Sequence, residues 1–131
     1  FDPSRLQPHG LGLDAVAGIA QVSGQIFTHY TVREERGHSR FNVTADDAAP
    51  SRYISRDLPP VLTLFAQNDM PSRAEENQFL MAALKAAGHR ALVSRRIEDR
   101  SHASVGHNIR NLDDPARREI LDFIALQSLG R

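Results

Sequence analysis

The feature that most constrains the fold is an uninterrupted apolar run in the middle of the chain. Pro59 and Pro60 lead into the segment Val61-Leu62-Thr63-Leu64-Phe65-Ala66, which is apolar or β-branched throughout. A strand with one solvated face alternates between apolar and polar residues, whereas a strand covered on both faces does not alternate. The run therefore predicts a buried strand of a parallel sheet over residues 61–66.

Two weaker runs predict further strands. The apolar stretch that ends at Ser23 and Gly24 predicts a first strand over residues 18–23, closed by a tight turn. Residues 91–97 are apolar in part but contain Arg95 and Arg96, which require solvent on one side. This third strand is therefore expected near a sheet edge.

Helical signals separate these strands. Ser72 and Glu75 have capping-box spacing before an apolar stripe, and Gly88 can end the helix, so residues 73–87 should form an amphipathic helix. Asp114 and Pro115 supply an N-cap and a first-turn proline for a closing helix of about three turns. Its expected apolar stripe consists of Ile120, Leu121, Phe123 and Ile124. Residues 25–60 show no clear period and predict a long irregular connection, a feature that is often functional in compact domains.

The order of these elements indicates the fold class. Strands that alternate with helices are typical of an α/β protein with a doubly wound parallel sheet. The chain has 131 residues, of which 40% are apolar, and this is enough for a sizeable core. Three strands nevertheless make an incomplete sheet.

Composition excludes several classes of function. Sixteen Lys and Arg balance sixteen Asp and Glu, so nucleic acid is not an expected partner. No apolar run is long enough to span a bilayer, and the absence of cysteine excludes disulfides and thiolate chemistry. The histidines lack metal-ligand spacing and no glycine-rich phosphate loop is present, so neither a metal nor a cofactor is expected. The compartment stays open, and the start at Phe1 is not expected to be a native start.

Two candidate catalytic residues follow neighbouring strands. Asp69 comes directly after the second strand and His102 follows the third, and the interval between them holds one helix and one strand. The carboxyl ends of parallel strands meet at one sheet edge, so a carboxylate and an imidazole become neighbours there. Such a pair is two-thirds of a hydrolytic triad. Taken singly, Asp69 is better explained as a turn or capping residue and His102 as a solvated loop residue.

No serine of the chain completes that triad. In α/β hydrolases the nucleophile precedes the acid and the base and lies in a Gly-x-Ser-x-Gly turn. Ser39, in Gly37-His38-Ser39-Arg40-Phe41, lacks the last glycine and does not follow a buried strand. Ser23 also lacks flanking glycines and is best interpreted as part of a turn.

At the level of these motifs the chain resembles the C-terminal half of α/β-hydrolase-fold carboxylesterases, in particular the hormone-sensitive lipase group and the feruloyl or acetyl-xylan esterase-like enzymes. The resemblance covers nearly the whole chain. Its landmarks are residues 17–24, 58–64, the acid segment Ala66-Gln67-Asn68-Asp69, residues 75–89, and Asp99-Arg100-Ser101-His102. Family members often carry Gly or Glu where this chain has Gln67-Asn68.

The resemblance implies a function for a larger protein. Residues 1–131 would form the C-terminal half of a single α/β-hydrolase domain, with Asp69 as triad acid and His102 as triad base. Residues 1–13 would follow the nucleophile-bearing helix, so the serine and the oxyanion donors would precede Phe1. The substrate would be a small carboxylic ester and no cofactor is implied. An unpaired sheet edge would pair with the missing N-terminal half, or with a second copy in a homo-oligomer.

Two alternatives remain open from the sequence. A non-catalytic α/β binding or interaction module could keep this scaffold without a nucleophile, because fold does not dictate function. A different hydrolase on the same fold, such as a peptidase or a thioesterase, would use the same acid and base.

Overall fold

The computed structural model describes residues 1–129 as one mixed α/β unit, and residues 130 and 131 of the predicted domain lie outside the described residues. Three strands are present, β1 (Ile19–Val22), β2 (Val61–Asn68) and β3 (Leu92–Ser101). The α-helices are α1 (Tyr30–Glu35), α2 (Arg73–Ala86), α3 (His102–His107) and α4 (Pro115–Leu129). Short 3-10 turns connect several of these elements.

The three strands form one parallel sheet in the order β1-β2-β3. Strand β2 is central, and its residues Val61 to Ala66 are all buried, as the uninterrupted apolar run predicts. Strand β3 lies at an edge of this sheet within residues 1–129, and Arg95 and Arg96 on it are exposed. All three predicted strands are confirmed, although β2 and β3 extend beyond their predicted ends.

Helices cover both faces of the sheet. Leu62, Leu64 and Ala66 project to one side of β2 and pack with Val105 of α3 and Phe123 of α4. On the opposite face, Val61 packs with Leu80 and Leu84 of α2 and with Ile26 from the first connection. This arrangement confirms the predicted parallel sheet with alternating helices.

The start of α2 differs from the sequence-based expectation. Ser72 has a left-handed backbone conformation (φ 66°) and makes no side-chain capping hydrogen bond. Its hydroxyl donates instead to Glu76 Oε1 at 3.2 Å. A capping side chain requires an extended backbone to reach the first helical N–H groups, so the predicted capping box is wrong. The predicted end is confirmed, because Gly88 has φ 87° directly after the helix.

Helix α4 is longer than predicted and less completely buried. It has 15 residues, or about four turns. Its N-terminus is capped by Asp114 Oδ1, which accepts from Ala116 N at 2.9 Å. Of the predicted apolar stripe, Phe123 is buried, whereas Leu121 and Ile124 are about half exposed (49% and 52%). Part of its apolar face is therefore uncovered within residues 1–129.

The connection between β1 and β2 contains structure that the sequence did not reveal. Helix α1 begins after His29, whose Nδ1 accepts from Thr31 N at 3.3 Å, and a 3-10 turn spans Pro50–Tyr53. Within residues 1–129, no helix has the length and apolar character that a membrane span requires.

Candidate active site

Asp69 lies directly after the carboxyl end of β2, with a side chain that is only 3% exposed. Its two oxygens accept four hydrogen bonds. Oδ2 accepts from Ser23 Oγ (2.5 Å) and Ala66 N (2.9 Å), while Oδ1 accepts from Met70 N (2.8 Å) and faces His102 Nδ1 (2.7 Å). These partners come from two strand ends, a turn and a helix start, so the carboxylate is held in a single orientation.

His102 contacts Asp69 through its ring nitrogen Nδ1. The alternation of strands and helices predicts that these two residues are neighbours. A carboxylate can only accept, so the neutral imidazole carries its proton on Nδ1 and leaves Nε2 as the acceptor. The side chain of His102 is 44% exposed, and Nε2 makes no hydrogen bond within residues 1–129. The free nitrogen is therefore accessible to a reacting group.

A bulge near the end of β3 determines where His102 lies. Ala66 pairs with Ile97 and Asn68 with Ser101, so four residue steps on β3 oppose two on β2. Asp99 takes a left-handed conformation there (φ 53°), and its N–H donates to Gln67 Oε1 at 3.0 Å. Gln67, where the resemblance leads one to expect Gly or Glu, thus holds the irregular backbone of the neighbouring strand. Such bulges redirect side chains.

His102 begins a helix, whereas the sequence suggested that it lies in a loop. Ser101 is the N-cap of α3 and forms a reciprocal capping box with Ser104. His102 is the first residue of that helix, and Val105, one turn later, is buried in the core. The short helix is therefore anchored by its cap and by its core contact, and this anchoring fixes the backbone of His102.

Ser23 is the residue of this site that sequence reasoning missed. It is 5% exposed, has a left-handed backbone conformation (φ 46°), and donates from its backbone N to Leu64 O at 2.7 Å. The turn interpretation was right, but the hydroxyl of this turn residue also binds Asp69. A usable signal existed, because Ser23 follows β1 and β1 lies beside β2 in the sheet.

The same contacts set the ionisation of Asp69. Burial alone would raise the pKa of this carboxyl, but the hydrogen bonds from Ser23, Ala66 and Met70, together with His102, outweigh burial and lower it. Asp69 is therefore ionised at neutral pH and can stabilise a positive charge on His102.

The other candidates do not join this site. Ser39 lies in the exposed segment after α1, where its Oγ accepts from Phe41 N at 3.3 Å and does not contact Asp69 or His102. Within residues 1–129, no group of three or more histidine, aspartate or glutamate side chains could hold a metal ion.

Comparison with known proteins supports the fold. No protein-family model matches the chain, and no curated protein sequence matches it. Among solved structures, Pyrococcus horikoshii acylaminoacyl peptidase is similar, with a TM-score of 0.50 and 15% sequence identity over 86% of this chain. The fold is that of part of an α/β hydrolase. The chain spans 19% of that peptidase's length, and at this identity the similarity concerns the fold alone.

Proposed function

We propose that this chain supplies the acid, Asp69, and the base, His102, of a Ser-His-Asp triad in a serine carboxylesterase that acts on small esters. The observation that carries the proposal is the 2.7 Å contact between Asp69 Oδ1 and His102 Nδ1, while His102 Nε2 has no hydrogen-bond partner within residues 1–129 and the side chain is 44% exposed. A histidine held in one tautomer by a buried carboxylate, with its other nitrogen accessible, is the arrangement that a general base requires.

The reaction would proceed through an acyl-enzyme. His102 Nε2 takes the proton from the serine hydroxyl as its oxygen attacks the ester carbonyl, and Asp69 stabilises the resulting imidazolium. The imidazolium then gives its proton to the departing alcohol oxygen as the ester C–O bond breaks. In the second half, His102 deprotonates a water molecule that attacks the acyl-serine, and the carboxylic acid leaves while the serine recovers its proton.

The nucleophile and the oxyanion donors would come from outside residues 1–131, in the remaining half of the domain. The free side of β1 supports this part of the proposal. A groove of about 260 Å³ runs beside β1 and α4 and includes Gly18, Ala20 and the half-exposed Ile124. An open strand edge next to uncovered apolar surface favours association, with the N-terminal half of the domain or with a second copy. Alone, this chain is expected to be inactive.

A peptidase is the second candidate, because the similar solved structure is named an acylaminoacyl peptidase. The same acid and base would serve amide hydrolysis. Assays with matched ester and amide substrates of one acyl group distinguish the two activities. A module that lacks a nucleophile altogether is the remaining alternative.

The test is labelling of the full-length protein with a fluorophosphonate, followed by mass spectrometry of the labelled peptide. We expect one labelled serine in a Gly-x-Ser-x-Gly segment, and His102→Ala should slow labelling by about 10⁴-fold or more, because triad members act as a unit. His107→Ala, which removes an exposed histidine from the same short helix, is the matched control and should label normally.

Two results would contradict the proposal. Labelling of His102→Ala at the wild-type rate would remove the base from the mechanism. A protein in which no serine reacts, although the chain is folded, would favour the non-catalytic module.

A further inference from the structure

A cavity lined by apolar and charged side chains adjoins the candidate active site. It has a volume of about 320 Å³ and opens next to the acid segment, and Met70, Pro71 and Ser72, which follow Asp69 directly, form part of its wall. Its volume is at the small end of the range for ligand sites, about 300–1,000 Å³. It is therefore suited to a small ligand or to one part of a substrate.

Two buried arginines line this cavity. Arg33 of α1 is 6% exposed and Arg73, the first residue of α2, is 5% exposed. The guanidinium group stays protonated in proteins, so both side chains bring a buried positive charge to the cavity wall.

Three of their buried N–H groups have no hydrogen-bond partner within residues 1–129. Arg33 Nη1 donates to the backbone oxygen of Asn42, but its Nε has no partner within residues 1–129. Arg73 Nε and Nη1 also have no hydrogen-bond partner there. Buried donors without partners, on a charged group in particular, cost considerable free energy and call for an explanation.

The nearby carboxylate does not supply those partners. Glu76 Oε2 lies 3.9 Å from Arg73 Nη1, which is too far for a hydrogen bond, and it accepts from Ile26 N at 3.0 Å instead. Arg33 forms no ion pair within residues 1–129, whereas Arg40, at the half-exposed rim, pairs with Glu34 at 3.9 Å. The buried part of the cavity wall therefore carries two positive charges against the one negative charge of Glu76.

We infer that this cavity binds a carboxylate, and that the preferred esters carry a second, anionic carboxyl group that Arg33 and Arg73 hold. The fork of N–H groups on arginine matches the two oxygens of a carboxylate. Apolar side chains at the rim, Phe41 (84% exposed), Val43 (69%) and Met70 (38%), would cover the hydrocarbon part of the same substrate. Gln25 also lines the cavity, and its amide NH₂ can donate to the same carboxylate.

The substrate assignment rests on the proposed esterase function, whereas the binding of a carboxylate does not. The site lies beside Asp69 along the chain, so an anchored carboxylate would orient the ester group near His102. Anchoring of this kind raises the rate for the correct substrate through positioning.

The test measures binding and hydrolysis separately in the full-length protein. Calorimetry with glutarate should show binding to the wild type, and Arg33→Gln and Arg73→Gln should each raise the Kd by about tenfold or more, the usual effect of losing a charged hydrogen bond. Arg95→Gln, which removes an exposed arginine paired with Glu119 outside the cavity, should leave the Kd unchanged. Ethyl hydrogen glutarate should be hydrolysed faster than its neutral carboxamide counterpart, and both Gln variants should abolish this preference.

Each outcome decides the inference. Absence of glutarate binding to the wild type, or equal weakening by Arg95→Gln, would overturn it, and tighter binding of inorganic phosphate than of glutarate would overturn the carboxylate assignment. If the buried variants do not fold, glutarate must still raise the Tm of the wild type, and must raise that of Arg40→Gln less. Glutarate binding that depends on both arginines, in a protein without esterase activity, would retain the site and reject the proposed function. Binding should persist in His102→Ala.

Discussion

The segment Met70-Pro71-Ser72 separates Asp69 from the cavity that Arg33 and Arg73 line. These buried charges differ in how far the chain satisfies their hydrogen bonds. The Asp69 carboxylate accepts four hydrogen bonds from the chain. The two guanidinium groups leave three nitrogen atoms without partners within residues 1–129. One charge is satisfied internally, whereas the other two belong to side chains that line a cavity.

This difference is what the two proposed roles would require. A carboxylate that orients a base must not move during the reaction, so its interactions are built into the fold. A charge that binds a ligand must keep its hydrogen-bonding groups free until the ligand arrives. Free buried donors reduce the stability of the unliganded protein, and such trade-offs between stability and function are common at functional sites.

The largest expected effect concerns hydrolysis and the orientation of His102. Asp69→Asn should lower kcat by about 10⁴-fold for anionic and neutral esters alike, because an amide that donates to the imidazole favours the wrong tautomer. Arg73→Gln should instead change the ratio of the rate for the anionic ester to the rate for the neutral ester. Measurement of kcat/KM for ethyl hydrogen glutarate and its carboxamide counterpart checks this contrast, with Asp113→Asn as the control for an exposed acid. If Asp69→Asn lowered the rate for only one of the two esters, the proposed difference between Asp69 and Arg73 would be wrong.

The second prediction concerns stability. Asp69→Ala leaves the buried hydroxyl of Ser23 and the N–H of Ala66 without an acceptor, and should lower the free energy of unfolding by about 2–4 kcal/mol. Arg73→Met removes a buried charge without a hydrogen-bond partner, but it also leaves the buried Glu76 without its positive neighbour, so it should lower the free energy by only about 1 kcal/mol or less because that pair is loose at 3.9 Å. Urea unfolding of the full-length protein, without ligand, measures both. Equal destabilisation by the two substitutions would show that Arg73 already has a structural partner.

The smallest effect concerns Ser23 and the fall of the free energy of unfolding at acid pH. The pKa of Asp69 is lowered from its ordinary 3.8, so its stabilisation is complete above that pH and is lost as the pH falls through the lowered pKa. Ser23→Ala removes one of the hydrogen bonds that lower this pKa, so the loss of stability in acid should be smaller and should end at a higher pH, and the neutral protein should lose about 1 kcal/mol. Urea unfolding from neutral pH into the acid range checks this, with Ser39→Ala as control. If the dependence of the free energy of unfolding on acid pH did not change, Ser23 would not lower the pKa of Asp69.

Much of the fold followed from the sequence because it depends on local patterns. The apolar run over residues 61–66, the apolar stripe of α2 and the Asp114-Pro115 start of α4 each determine an element from its own residues. The contact between Asp69 and His102 was also predictable. Parallel strands joined by a helix bring their carboxyl ends to one edge, so the topology places both residues at that edge.

Other parts of the site depended on the tertiary structure. Ser23 contacts Asp69 because a left-handed turn aims its hydroxyl at the next strand, and the position of His102 depends on a bulge held by Gln67. The cavity that Arg33 and Arg73 line lies between the aperiodic connection of residues 25–60 and the start of α2. Sequence periodicity reports which face of an element is buried, but not how distant turns meet or which buried donors stay unpaired. Those features arise only when the elements have packed together.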